Sequence, residues 1–138
     1  MDSIEREIVI AAAPERVYAI VTEPEHIAQW FGDAGAERAG DVITVRWASG
    51  SSAELRIVNE DPPRAFAYRW DSTIRVGDTL VEFTITPEGD RTRLKVVESG
   101  WESLPTGADE QQRLRESNRQ GWERELGDLE RYAATLSP

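Results

Sequence analysis

The chain contains no cysteine, which removes disulfide frameworks, thiolate metal ligands and thiol nucleophiles together. It has a single histidine, His26, too few for a zinc site of ordinary histidine-rich ligation. Basic residues are outnumbered, 16 Lys and Arg against 26 Asp and Glu, for a net charge of −10. Without a basic run there is no source for the counterion release that drives nucleic-acid binding, and an anionic membrane would repel the chain. No apolar run approaches a membrane span. The opening Met1-Asp2-Ser3-Ile4-Glu5-Arg6 lacks the charged-then-apolar pattern of a signal peptide, so the cytoplasm is the expected location. Glycine-rich phosphate loops, the GxSxG elbow, HExxH and calcium-loop spacing are also missing. No metal and no cofactor are implied.

What is present is a globular balance: 138 residues, 39% hydrophobic and 30% charged, enough for one domain over residues 1–138 with a core that needs no covalent staples. Ile4, Ile8 and Ile10 alternate as a strand, with Arg6 on the same face. Pro14 and Pro24 sit where helices tolerate proline, in a first turn. They open two short helices whose inner sides are Val17, Ile20 and Val21, then Ile27, Trp30 and Phe31, with Gly32 as the stop. From about residue 36 to residue 100 the period becomes two. Ile43, Val45 and Trp47 alternate with polar residues, as do Leu55 and Ile57, Phe66, Tyr68 and Trp70, Val81, Phe83 and Ile85, and Leu94, Val96 and Glu98. The separators are Gly-, Pro- and Asp-bearing turns, too short for anything but antiparallel neighbours. Asp109 with Gln112 has the form of a capping box, opening a helix that runs to about Leu136.

That helix carries an apolar stripe of Leu114, Trp122, Leu126, Leu129, Ala133 and Leu136, broken where Asn118 and Gly121 fall. A stripe that turns small and polar opposite an inward Glu98 suits the wall of a cavity. The expected architecture is α+β: a helix-grip fold in which a seven-stranded, curved antiparallel sheet grips the long C-terminal helix, with two short helices after the first strand.

The segments Ala12-Ala13-Pro14-Glu15-Arg16-Val17-Tyr18 and Glu23-Pro24-Glu25-His26-Ile27-Ala28-Gln29-Trp30-Phe31 resemble the first strand–helix pair of the START/polyketide-cyclase-like (SRPBCC) superfamily. Asp61-Pro62-Pro63-Arg64 with Phe66-Ala67-Tyr68-Arg69-Trp70 resembles its subgroup of heat-shock-protein-90 ATPase activator homologues. So do Val81 to Pro87, Arg91 to Leu94, Glu98-Ser99-Gly100 and Gly121-Trp122. The resemblance spans nearly the whole chain. It implies the helix-grip fold and a range of roles: lipid carriers, receptors, cyclases, dehydratases and co-chaperones. The co-chaperone proper owes much of its activating role to a separate N-terminal region, and no counterpart lies in these residues.

Glu98 is the sharpest candidate, either as an acid or base facing a cavity or as a structural carboxylate bonded by the next loop or Arg6. Phe66, Tyr68, Trp70 and Trp47 read as cavity lining or as core aromatics beneath the helix. Trp30 and Phe31 read as an entrance wall or plain packing, and Trp101 as a gate or plain packing. Asn118 could bond a ligand, or Gly121 could simply let the helix approach the sheet beside Trp122. Phe83 completes the expected lining. His26 reads as a solvated residue between Glu23 and Glu25. The functional expectation is binding of a small hydrophobic or amphipathic molecule between sheet and helix. Two alternatives stay open: a cyclase- or hydrolase-type enzyme using that cavity, or a co-chaperone-like module with a chaperone or other protein partner.

Overall fold

The computed structural model describes residues 3–73 and 76–136; Met1 and Asp2, part of the stretch read above for a leader pattern, lie outside them. Strand β1 (Ile4–Ile10) is followed by α1 (Pro14–Thr22) and α2 (Pro24–Trp30). Six strands come next: β2 (Ala36–Ala39), β3 (Val42–Arg46), β4 (Ser52–Asp61), β5 (Ala65–Ser72), β6 (Asp78–Glu88) and β7 (Arg91–Ser99). A single 3-10 turn (Trp101–Ser103) leads to α3 (Ala108–Thr135).

The strands form one antiparallel sheet in the order β1-β7-β6-β5-β4-β3-β2. Strand β1 therefore occupies one edge, and the chain must cross the sheet before β2 can begin at the other. Six inter-strand spacings come to about 29 Å, and α1 with α2 make that crossing. Each opens on proline, and Glu23, in extended conformation, closes the first and starts the second. Val17, Ile20, Val21, Ile27 and Trp30 face inward and are buried. The meander of β2 to β7 then returns hairpin by hairpin until β7 pairs with β1, with one bulge in β4 between Ile57 and Asn59.

Helix α3 has 28 residues, about 42 Å at 1.5 Å each, and lies against β1 and α2. Trp122, Leu126 and Leu129 are its buried residues, as the stripe predicts; Leu114, Ala133 and Leu136 pack against the core at its border. The capping box does not form. The N-cap is Gly107, without a side-chain cap bond, which places Asp109 inside the first turn, where its charge complements the helix dipole. The loop before the helix is held instead by Gln111, whose Nε2 lies 3.2, 3.0 and 3.0 Å from the carbonyls of Glu102, Leu104 and Thr106.

The expected hollow is much reduced. Phe66, Phe83, Leu55, Ile43, Leu94 and Leu129 are no more than 2% exposed, and rings from the sheet meet the helix directly, Phe83 and Trp122 at 5.9 Å between centroids. Bulky aromatic side chains fill most of the space that Asn118 and Gly121 were read as leaving. Between these rings and α3, what remains open is a cavity lined by Phe31, Trp47, Trp70 and one face of the helix. No helix among the described residues is long and apolar enough to cross a membrane.

Candidate ligand site

Two carboxylates lie near that cavity, and their surroundings differ. Glu98 follows Leu94 and Val96 on the inward face of β7 and is 0% exposed. Across the ladder it faces Val81, so Thr79, two residues along β6, is its diagonal neighbour. The Thr79 hydroxyl donates to Glu98 Oε2 at 2.5 Å. From α3, Trp122 Nε1 donates to Oε1 at 2.8 Å, and Asn118 Nδ2 sits 3.1 and 3.3 Å from the two oxygens. These partners come from β6 and the helix rather than from Arg6, which donates to the Glu5 carbonyl. A buried carboxylate bonded by several donors is a satisfied group: Glu98 ties the helix to the sheet. Trp101 Nε1 reaches the Glu98 backbone carbonyl at 3.3 Å and anchors the 3-10 turn to the same point.

The cavity has a volume of about 190 Å³. Its sheet-side walls are Phe31, just past α2, Trp47, just past β3, and Trp70 on β5. Its helix-side wall is one face of α3: Ser117, Asn118, Gly121, Trp122, Arg124 and Glu125, spaced so that residues three and four apart share a face. Phe31 is the hub, its ring centroid 5.5 Å from Trp47, 5.4 Å from Trp70 and 5.8 Å from Trp122, the last nearly parallel. Edge contacts of this kind are worth about 0.5–1.5 kcal/mol each beyond burial, so the walls are preformed. Gly32 brings Phe31 into place: a Cβ there would lie 2.5 Å from Val45 Cγ1 and 2.8 Å from the Arg46 carbonyl. Gly121 is the opposite case. A Cβ would meet nothing closer than the Arg124 guanidinium at 3.8 Å, so this glycine leaves space in the cavity and is not required for close packing.

Glu125 was passed over in the sequence, and it is the group that distinguishes the site. It lines the cavity with a side chain 19% exposed, and its one ion-pair contact among the described residues is Arg124 Nε at 3.9 Å. Burial, assisted by the charges of Asp128 and Asp33 and opposed by Arg124, pushes its carboxyl up to about 7. In sequence it follows Glu123 and Arg124, and the sign of its burial is Trp122 and Leu129, three and four residues away on the same helix face. By contrast, Tyr68 is no proton acceptor at neutral pH, because burial first, and then the charge of Glu98, holds its phenol well above its ordinary value.

Of the residues singled out in the sequence, Phe31, Trp47, Trp70, Asn118 and Trp122 surround the cavity. Trp30, Phe66, Tyr68, Phe83, Glu98 and Trp101 lie in the packed core beside it. Trp30 donates to the Ile20 carbonyl at 2.9 Å, and Tyr68 packs between Phe66 and Phe83. His26 is not simply solvated: its Nδ1 lies 2.6 Å from the Tyr132 hydroxyl, linking α2 to α3. A larger hollow, of about 460 Å³, lies at the other end of the β6–β7 ribbon among Ala11 to Ala13, Gly89, Arg91 and Leu136. Its walls carry no aromatic ring, so the smaller cavity is the better candidate.

The model of the family described as Activator of Hsp90 ATPase homolog 1-like protein matches residues 11–134. No curated protein matches the chain significantly. Among solved structures, protein MLL2253 from Mesorhizobium loti is 20% identical at a TM-score of 0.81, with 99% of this chain and 100% of that one covered. The Aha1 dimer from Colwellia psychrerythraea is 18% identical at 0.76, with 94% of each chain covered. DynU16, a protein in the dynemicin biosynthetic locus, is 27% identical at 0.75; 98% of this chain aligns with 48% of that one. These likenesses agree with the helix-grip architecture.

Proposed function

The chain belongs to the Activator of Hsp90 ATPase homolog 1-like family, and from that premise we propose that it binds a small organic molecule in the cavity between Phe31, Trp47, Trp70 and α3. The observation that carries this reading is a preformed space of about 190 Å³, walled by aromatic rings and kept open by Gly121. Pockets for drug-sized ligands run to about 300–1,000 Å³, so the occupant is compact rather than a long-chain lipid.

Gly121→Leu tests the reading. The position has room for a side chain and leucine is the better helix former by up to about 1 kcal/mol, so the variant should fold at least as stably as the parent. It should lose the chemical-shift changes that neohexanol, a compact branched alcohol, induces at the Gly121 amide and at the indoles of Trp47, Trp70 and Trp122. Unaltered shifts elsewhere in the spectrum would certify the fold. Retained uptake by the variant would refute the site. Native mass spectrometry of protein purified from its own cells then identifies a resident molecule.

A second reading, acid–base catalysis in the same cavity, is favoured by one observation: Glu125 lies at about 7, where a carboxyl exchanges protons most usefully at neutral pH. Incubation with the co-purified molecule separates the two. A binder returns it unchanged; an enzyme converts it, and Glu125→Gln stops the conversion. A chaperone-directed role finds less support, since Val58 and Val76 are the large apolar side chains exposed among the described residues, and two scattered valines form no docking patch.

A further inference from the structure

The walls of the cavity restrict what it can recognise. Trp47 and Trp122 commit their indole N–H groups inside the protein, to the Phe31 carbonyl at 2.9 Å and to Glu98 at 2.8 Å. Asn118 commits its amide nitrogen to Glu98 as well. What Trp47, Trp122 and Phe31 leave for an occupant is carbon and π-electron density, which attracts positive charge as well as apolar groups. The acidic group on the lining is Glu125, whose one ion-pair partner among the described residues, Arg124, is distant at 3.9 Å and 69% exposed. Asp33 and Asp128 act on Glu125 with the same sign; Asp128 is itself paired with Arg131, and Arg124 is the cation that opposes them at Glu125, on a chain of net charge −10.

We infer that the cavity takes a small organic cation, an amine or quaternary ammonium compound, with the aromatic rings as its apolar flanks and Glu125 as its counter-ion. This deepens the small-molecule reading above and rests on it. The cavity volume of about 190 Å³ suits such a compact group. An anion would meet the carboxylates. A neutral apolar molecule would leave Glu125 desolvated without compensation, whereas a cation restores what burial removes.

The probes are choline and neohexanol, its neutral isostere, in which a quaternary carbon replaces the nitrogen. Affinities are read by calorimetry and by indole chemical shifts. At about pH 8, choline should bind at least about tenfold tighter than neohexanol, one favourable cation–π contact with a counter-ion being enough for that ratio. Glu125→Gln should lower the ratio severalfold, leaving only the part that the aromatic rings supply. Arg124→Gln, at an exposed position where folding is not at risk, should raise it, because the cation no longer competes with the guanidinium. The choline preference should also shrink as pH falls through about 7, where Glu125 takes up a proton; the charged groups facing it are Arg124 and Asp128 from α3 and Asp33 after α2. Equal binding of the two probes overturns the cation and leaves the cavity reading intact. Absence of binding by both overturns the two together. A choline preference that Glu125→Gln leaves undiminished, or that Arg124→Gln weakens, overturns Glu125 as the counter-ion.

Discussion

Glu98 and Glu125 belong to one neighbourhood and have opposite relations to it. Glu98 accepts from Thr79, Asn118 and Trp122, so its burial is compensated and its removal is what costs stability. In Glu98→Gln an amide hydrogen would be directed at groups that are themselves donors, and about 1–3 kcal/mol should be lost, measured as a lower urea midpoint at unchanged slope. An unchanged midpoint would mean that the carboxylate does not hold the helix. For Glu125 the sign reverses. Its carboxyl titrates at about 7 in the folded chain against an ordinary 4.5, so folding opposes ionisation. The destabilisation is absent below about 4.5, grows through the window up to about 7 and is complete above it. Glu125→Gln should therefore match the parent in melting temperature near the lower end of that window and exceed it above the upper end. A constant difference between variant and parent across pH would exclude the raised titration. Glu98 was legible in the sequence, because strict alternation with Leu94 and Val96 forces it inward. Glu125 was not. Adjacent Glu123 and Arg124 make it read as part of a charged run, although the buried Trp122 and Leu129, three and four residues away, share its helix face. Thr79 was equally silent, a threonine being ordinary on either face of a strand.

The elements divide in the same way. Local signals located α1 and α2, where proline in the first turn and apolar spacing agree. Alternating runs located six of the strands; none marked β2, because Ala36-Glu37-Arg38-Ala39 offers little apolar contrast. The start of α3 was misplaced. A capping-box pattern gives no information about whether the preceding glycine has already taken the cap position, and Gln111 rather than a cap residue secures the entry. Gly32 was legible as the stop of α2 but not as a contact. Since a Cβ there would meet Val45 at 2.5 Å and the Arg46 backbone at 2.8 Å, Gly32→Ala should cost about 1–3 kcal/mol by overpacking and lower the melting temperature. It should also shift the Trp47 indole signal as its bond to the Phe31 carbonyl lengthens. A fully stable Gly32→Ala would mean that the α2–β3 approach is looser than these distances.

At the scale of the molecule, the order of elements and the residues of the apolar stripe were enough to place one long helix across a seven-stranded sheet. The amount of empty space was not readable. It depends on how far large rings reach from the opposite wall, and Phe31, Trp47, Trp70 and Phe83 reach far enough to fill most of it. Small residues on a helix mark where an opening can exist; the bulk across from them decides how large it is.

The polar half of the site, Ser117, Asn118, Arg124 and Glu125, comes from little more than two turns of α3, while the sheet and the end of α2 supply rings alone. If the cavity binds a ligand as proposed, diversification of that ligand can be confined to a few codons within one short segment. The architecture would stay constant through such drift, and two descendants sharing it could differ completely in diet.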